Sequence, residues 1–174
     1  MAHLPYADLE QTAALPLVQR IKAERGSVLH LYQMLLHSAP LAEGWLGFMS
    51  AVRQKLDLPA ALRELVIMRV AQLNGAPYEA QQHEPIALKE GVTQAQLTAL
   101  PDWAESAAFN DMERAVLQLC DTMTQQVQVP RATLLAVQQQ LGDRQTVELV
   151  ATVAAYNMVS RFLEALHIHG DDAR

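Results

Sequence analysis

Apolar residues along this chain recur every three to four positions, and the breaks between periodic stretches fall at Gly, Pro and Asn. That spacing is the helical one, and no Val/Ile/Thr/Tyr-rich alternation of the kind a strand needs is present. A first helix is expected over Pro16 to Arg25, stopped by Gly26, after a loosely structured lead-in at residues 1–14. Ser27 is placed to cap a second helix reaching about His37, which Ala39-Pro40 breaks. A third runs from about Leu41 to Leu56, with Leu41, Trp45, Phe48, Met49 and Val52 as its expected buried face. Asp57 reads as a cap and Pro59 as the first turn of a fourth, to about Asn74, which is apolar nearly all round and therefore a core helix. Pro77 opens a fifth to about Glu90, closed by Gly91, and Pro85 inside it should kink it or free the Gln81 carbonyl. Thr93 caps a short helix to Leu100. Further helices are expected over Asn110 to Gln126, Pro130 to Leu141 and, beyond Gly142-Asp143, Arg144 to His167. No linker interrupts the series, so the reading is an all-α, single-domain helical bundle.

Composition narrows the function classes. In 174 residues, 51% are apolar, which is ample for one core. The net charge of −6 and the lack of a basic stripe argue against nucleic acid and anionic membranes as partners. No uninterrupted apolar run reaches the length of a membrane span, and Met1 to Gln11 lacks an apolar signal core, so the expected compartment is the cytoplasm. The one cysteine, Cys120, supplies neither a disulfide nor a two-thiol redox couple, and in its apolar helix it reads as buried and inert.

Candidate chemistry concentrates between Leu62 and Ala87. Glu64 is a carboxylate in apolar company; Glu79 and His83 lie four apart, on one helix face. A buried carboxylate costs several kcal/mol unless paired or protonated. A Glu–His pair in a partly dry pocket is a proton-transfer device near neutral pH. The plainer readings are a solvated Glu79/His83 surface pair, and Glu64 as a structural partner of Arg63, Arg69 or Arg161. His30 and His37, seven apart, read as packed or exposed positions. Trp45, Trp103 and Met68 read as core residues, and His167 and His169 as helix-end residues.

The run LRELVIMRVAQLNGAPYEAQQHEPIALKEGV resembles the core motif of the carboxymuconolactone decarboxylase and alkylhydroperoxidase D superfamily. The run ELVATVAAYNMVSRFLEALHI resembles that family's closing helix, and APLAEGWLGFMSAVRQKLDLP the helix before its core. The three segments agree in order and spacing and cover roughly residues 35–168. The resemblance implies an alkylhydroperoxidase D-like helical domain at 36–168, an N-terminal helical extension at 1–35 packed on it, and a polar tail at 169–174. It also implies a homo-oligomer, a trimer or hexamer. Glu64 falls on the glutamate and His83 on the histidine of the hydroperoxidase relay, while the two cysteine places fall on Ala76 and Glu79. Without either thiol, thiol peroxidase chemistry has no nucleophile. Glu79 and His83 instead match the Glu-x-x-x-His of the decarboxylase branch.

The resemblance implies a cofactor-free lyase or proton-transfer enzyme acting on a small carboxylated lactone or related aromatic-degradation intermediate. His83 is the expected proton donor, with Glu79 orienting or recharging it and Glu64 completing the relay; Tyr78 and Gln82 are expected at the substrate. Two alternatives stand beside it: a non-catalytic small-molecule-binding oligomer on a scaffold that has lost its thiols, and a metal site built from Glu64, Glu79 and His83.

Overall fold

The computed structural model describes residues 1–10 and 15–170, and every regular element among them is helical. The expected lead-in at 11–14 and tail at 171–174 lie outside the described residues. By internal contacts the chain divides into two units, Met1–Lys55 with Leu163–Arg174, and Leu56–Phe162.

In the first unit, α1 (Leu15–Arg25) ends on Gly26, whose φ of +79° only glycine takes without strain. α2 (His30–Leu35) is shorter than its spacing suggests. The chain is still extended at Leu29, and no side chain caps the helix, so Ser27 is not its cap. α3 (Ala39–Gln54) starts two residues early, because Pro40 fits the first turn, where its missing N–H is no loss. Its buried face is Ala42, Trp45, Leu46, Met49 and Val52, while Leu41 and Phe48 are 49% and 45% exposed. The burying sector is thus turned by about 60° from the expected one, at 100° per residue; Ala42 and Leu46 take the inner places. The described lead-in is not loose. Ala7 N–H donates to Gln33 O at 3.3 Å, the His37 ring to Pro5 O at 2.7 Å, and Tyr6 stacks on His30 with ring centroids 4.7 Å apart.

The second unit is built on α4 (Ala60–Leu73), whose residues Leu62, Leu65, Val66, Ile67, Val70 and Ala71 are all buried, with Glu64 and Arg69 among them. Asp57 does not cap this helix. Its carboxylate pairs with Arg144 at 2.6 Å and its carbonyl accepts from Gln145, so the turn before α4 is tied to a distant helix instead. α5 (Pro77–Lys89) runs on through Pro85 without a non-helical residue. Gln81 and Pro85 are both exposed, so water can serve the carbonyl that Pro85 frees. α6 (Gln94–Ala99) carries the expected Thr93 cap as a reciprocal box with Gln96, and a 3-10 turn, Leu100–Glu105, follows. α7 (Asp111–Gln126) starts on a second such box, Asn110 with Glu113. α8 (Arg131–Leu166) is two helices joined at Gly142, whose φ of 74° and ψ of 173° break the run where the sequence places its stop.

α4 packs chiefly on α5 and α7. Leu65, Ala87, Val92, Leu100, Trp103, Phe109 and Leu117 form one apolar cluster between these elements, each large member contributing about 1.5–3 kcal/mol by burial. Arg69 is the charged exception. Its guanidinium grips Asp121 through two bonds of 2.7 and 2.6 Å, and further reaches Gln72 Oε1 at 2.7 Å and Leu100 O at 3.1 Å. α8 is long and apolar enough by composition to cross a membrane, but half of its most apolar stretch is buried inside the protein, as in a core helix.

Candidate active site

Glu64 projects from the middle of α4 and His83 from the second turn of α5, and the antiparallel return at Asn74 to Pro77 brings them together. Glu64 Oε2 lies 2.8 Å from His83 Nδ1, with both side chains buried. Glu64 Oε1 takes a second bond from Arg63 Nε at 3.1 Å. Burial alone pushes the Glu64 carboxyl up, but the hydrogen bond and charge of His83, then Arg63, outweigh it, and the group titrates below the ordinary carboxylate range. Glu64 is therefore ionised and accepts, and His83 donates through Nδ1–H, which fixes the tautomer when the ring is neutral. Tyr156 of α8 meets the His83 ring edge to face, with centroids 5.1 Å apart at 89°.

Glu79, one turn before His83, is 2% exposed and accepts a short hydrogen bond from Ser160 Oγ. Tyr156 and Ser160 lie four apart on α8, so one face of that helix serves both α5 side chains. Sequence reasoning missed both. The available signal was Tyr156 and Ser160 at i, i+4 on the closing helix, beside the polar Asn157 and Arg161. The carboxylate bonded to His83 Nδ1 is Glu64, the place the sequence reading gave to Glu79. Arg63 is the ion partner of Glu64, while Arg69 is engaged with Asp121. Tyr78 is buried and Gln82 half-buried on α5. Among the described residues no three His, Cys, Asp or Glu side chains gather as a metal site requires, so the alternative of a metal site on Glu64, Glu79 and His83 finds no such cluster.

A cavity of about 380 Å³ lies along the same two helices, lined by α4 residues Met68, Ala71 and Gln72, by Ala76, Pro77 and Ala80, and by Leu97 and Leu100. Neither Glu64 nor His83 lines it. Both are close in register: Met68 is one turn after Glu64, and Ala80 three residues before His83.

Compared with known proteins, residues 39–122 match the carboxymuconolactone decarboxylase family. This segment belongs to that family. The family's stretch holds Glu64, Glu79 and His83 together. Uncharacterized protein YdfG of Bacillus subtilis (strain 168) is 29% identical over 106 residues, 60% of this chain and 72% of that one. Among solved structures, an uncharacterized peroxidase-related protein from Ralstonia eutropha JMP134, described as an alkylhydroperoxidase AhpD core, aligns with a TM-score of 0.84 at 14% identity, over 98% of this chain and 93% of that one. A variant of the debrominase Bmp8 in complex with 2,3,4-tribromopyrrole aligns with a TM-score of 0.80 at 16% identity, over 96% and 92%. At these identities the structural matches establish the alkylhydroperoxidase D-like fold. In this chain, the two places the resemblance gives to cysteines hold a buried Ala76 at the cavity wall and the Ser160-bonded Glu79. Cys120 is fully buried, and burial, then the Asp121 charge, pushes its thiol far up the scale. It is therefore no thiolate nucleophile.

Proposed function

We propose that this protein is a cofactor-free lyase of the carboxymuconolactone decarboxylase type, acting on a small carboxylated, unsaturated lactone by proton transfer through Glu64 and His83. The observation that carries the reading is the buried 2.8 Å bond between Glu64 and His83 Nδ1. When the substrate loses carbon dioxide, the electron pair of the broken C–C bond moves through the double bond to the lactone carbonyl and forms a dienolate. Protonation at carbon completes the reaction. His83 supplies that proton from Nε2, and Glu64, held ionised, stabilises the imidazolium beforehand and keeps the ring oriented. Glu79 and Tyr156 frame the ring. Tyr78 and Gln82 keep their proposed place at the substrate, with Tyr78 able to bond the dienolate oxygen.

Offering carboxymuconolactone and an organic hydroperoxide separately to the purified protein tests the reaction class. Lactone turnover without hydroperoxide turnover is the expected result; peroxide reduction with no lactone turnover refutes it. A second reading, a small-molecule-binding protein without catalysis, is favoured by one observation: the cavity wall includes none of Glu64, Glu79 and His83. Binding of lactone with no turnover would select it.

A further inference from the structure

The Glu64 carboxylate is shared between two donors, one on each oxygen. His83 Nδ1 meets Oε2 at 2.8 Å and Arg63 Nε meets Oε1 at 3.1 Å. The Glu64 side chain is 1% exposed and that of Arg63 11%, so water screens this row of groups far less than it would a surface pair. Of the two donors, Arg63 is the one charged at every working pH. Its charge acts on His83 in two ways of the same sign: it draws on the carboxylate that stabilises the imidazolium, and it repels the imidazolium directly. A histidine held against a lone buried carboxylate binds its proton tightly, whereas a general acid works best with a proton affinity near the operating pH. The other titratable groups placed at this ring are Tyr156 from α8, edge to face, and Glu79, one turn earlier on α5 and bonded to Ser160. Burial pushes Glu64 up, but the bond and charge of His83 hold it down more than Arg63 does, so Glu64 stays ionised opposite a protonated His83 when Arg63 is replaced.

We propose that Arg63 is a positioning residue that acts through Glu64: by holding Oε1 with a fixed positive charge, it weakens the grip of Glu64 on the His83 proton and keeps His83 a releasable acid. The catalytic meaning of this tuning rests on the proton-transfer reading above. The tuning itself is read without substrate, so either can fail alone.

The test is the titration of the His83 ring, followed by NMR of its ring nitrogens without substrate and assigned by the signals lost in His83→Ala. Arg63→Met removes both the donor and the charge. Arg63→Gln sets an amide N–H at the same point along the side chain as the Arg63 Nε, so it removes the charge and keeps a donor. Arg63→Lys keeps the charge. The His83 midpoint should rise by about one pH unit in Arg63→Met and in Arg63→Gln, and by less than half as much in Arg63→Lys. Lost packing alone would not produce that order. Circular dichroism checks folding, and Arg63→Gln carries the test if Arg63→Met unfolds. With the lactone as substrate, the basic limb of the kcat profile should move up with the midpoint, because the acid stays protonated to higher pH. The shifted midpoint without lactone turnover by wild type would uphold the tuning and reject the lyase reading. The proposal is overturned if the Arg63→Gln midpoint falls or stays within about 0.3 units of wild type, or if Arg63→Lys raises it as far as Arg63→Gln does.

Discussion

Asp121→Asn keeps the size of the side chain and removes its charge, at the point where three donors converge. In wild type the carboxylate accepts from Arg69 Nε at 2.7 Å, Arg69 Nη2 at 2.6 Å and Trp103 Nε1 at 3.1 Å. An amide has one oxygen for these donors, and its NH2 must face either the guanidinium or the indole N–H. Arg69 keeps Gln72 and the Leu100 carbonyl but loses its counter-charge while only 9% exposed. Removing one partner of a fully buried pair costs about 3–5 kcal/mol. Asp121 is 16% exposed, so the lower end applies, about 3 kcal/mol. For a chain of this size that lowers Tm by about 6–12 °C. The assay is thermal unfolding followed by circular dichroism. The double variant Arg69→Met with Asp121→Asn removes the stranded charge, so at least half of the loss should return. An Asp121→Asn Tm within about 2 °C of wild type, or a double variant that loses the sum of the two single changes, refutes the reasoning.

The same geometry carries three further outcomes. Because Glu64 titrates lower in the folded protein than in the unfolded chain, its stabilisation is complete above the unfolded value and lost as pH falls through the folded one. The stability gap between wild type and Glu64→Gln, from urea unfolding, should therefore narrow between about pH 5 and pH 3; a gap that widens contradicts the depressed titration. Cys120 should resist a thiol reagent in the native protein and react on unfolding, because it is fully buried and its pKa is raised; rapid native labelling would count against its inertness. Gly142→Ala should destabilise by about 1–3 kcal/mol through backbone strain, although its added Cβ meets nothing within 4 Å, and a neutral effect would show that the φ of 74° relaxes.

The fold was legible wherever a local rule decides the outcome. The Thr93 cap, the stops at Gly26, Gly91 and Gly142, and the apolar circumference of α4 are written in adjacent residues, and each is found where the sequence places it. The errors lie where distant groups compete for a local role. Asp57 reads as a cap, but Arg144 and Gln145 claim it from 87 and 88 positions along the chain. Leu41 and Phe48 carry the helical period of α3 as well as Ala42 and Leu46 do, and only the packed neighbours settle which arc turns inward. In the site, the spacing of Glu79 and His83 marked a shared helix face. It could not reveal that Glu64, nineteen residues before His83, holds the ring, or that Ser160, eighty-one residues after Glu79, holds that carboxylate. The pairing depends on how α4, α5 and α8 pack, which no periodicity encodes.

The most direct test of the proton-transfer reading is the rate of carboxymuconolactone decarboxylation by wild type and by His83→Ala under saturating substrate. A positioned general acid is worth about 10²–10⁴-fold, so the account predicts that wild type turns the lactone over and that the variant, still folded, falls by at least about 100-fold. Turnover by His83→Ala at the wild-type rate would contradict it.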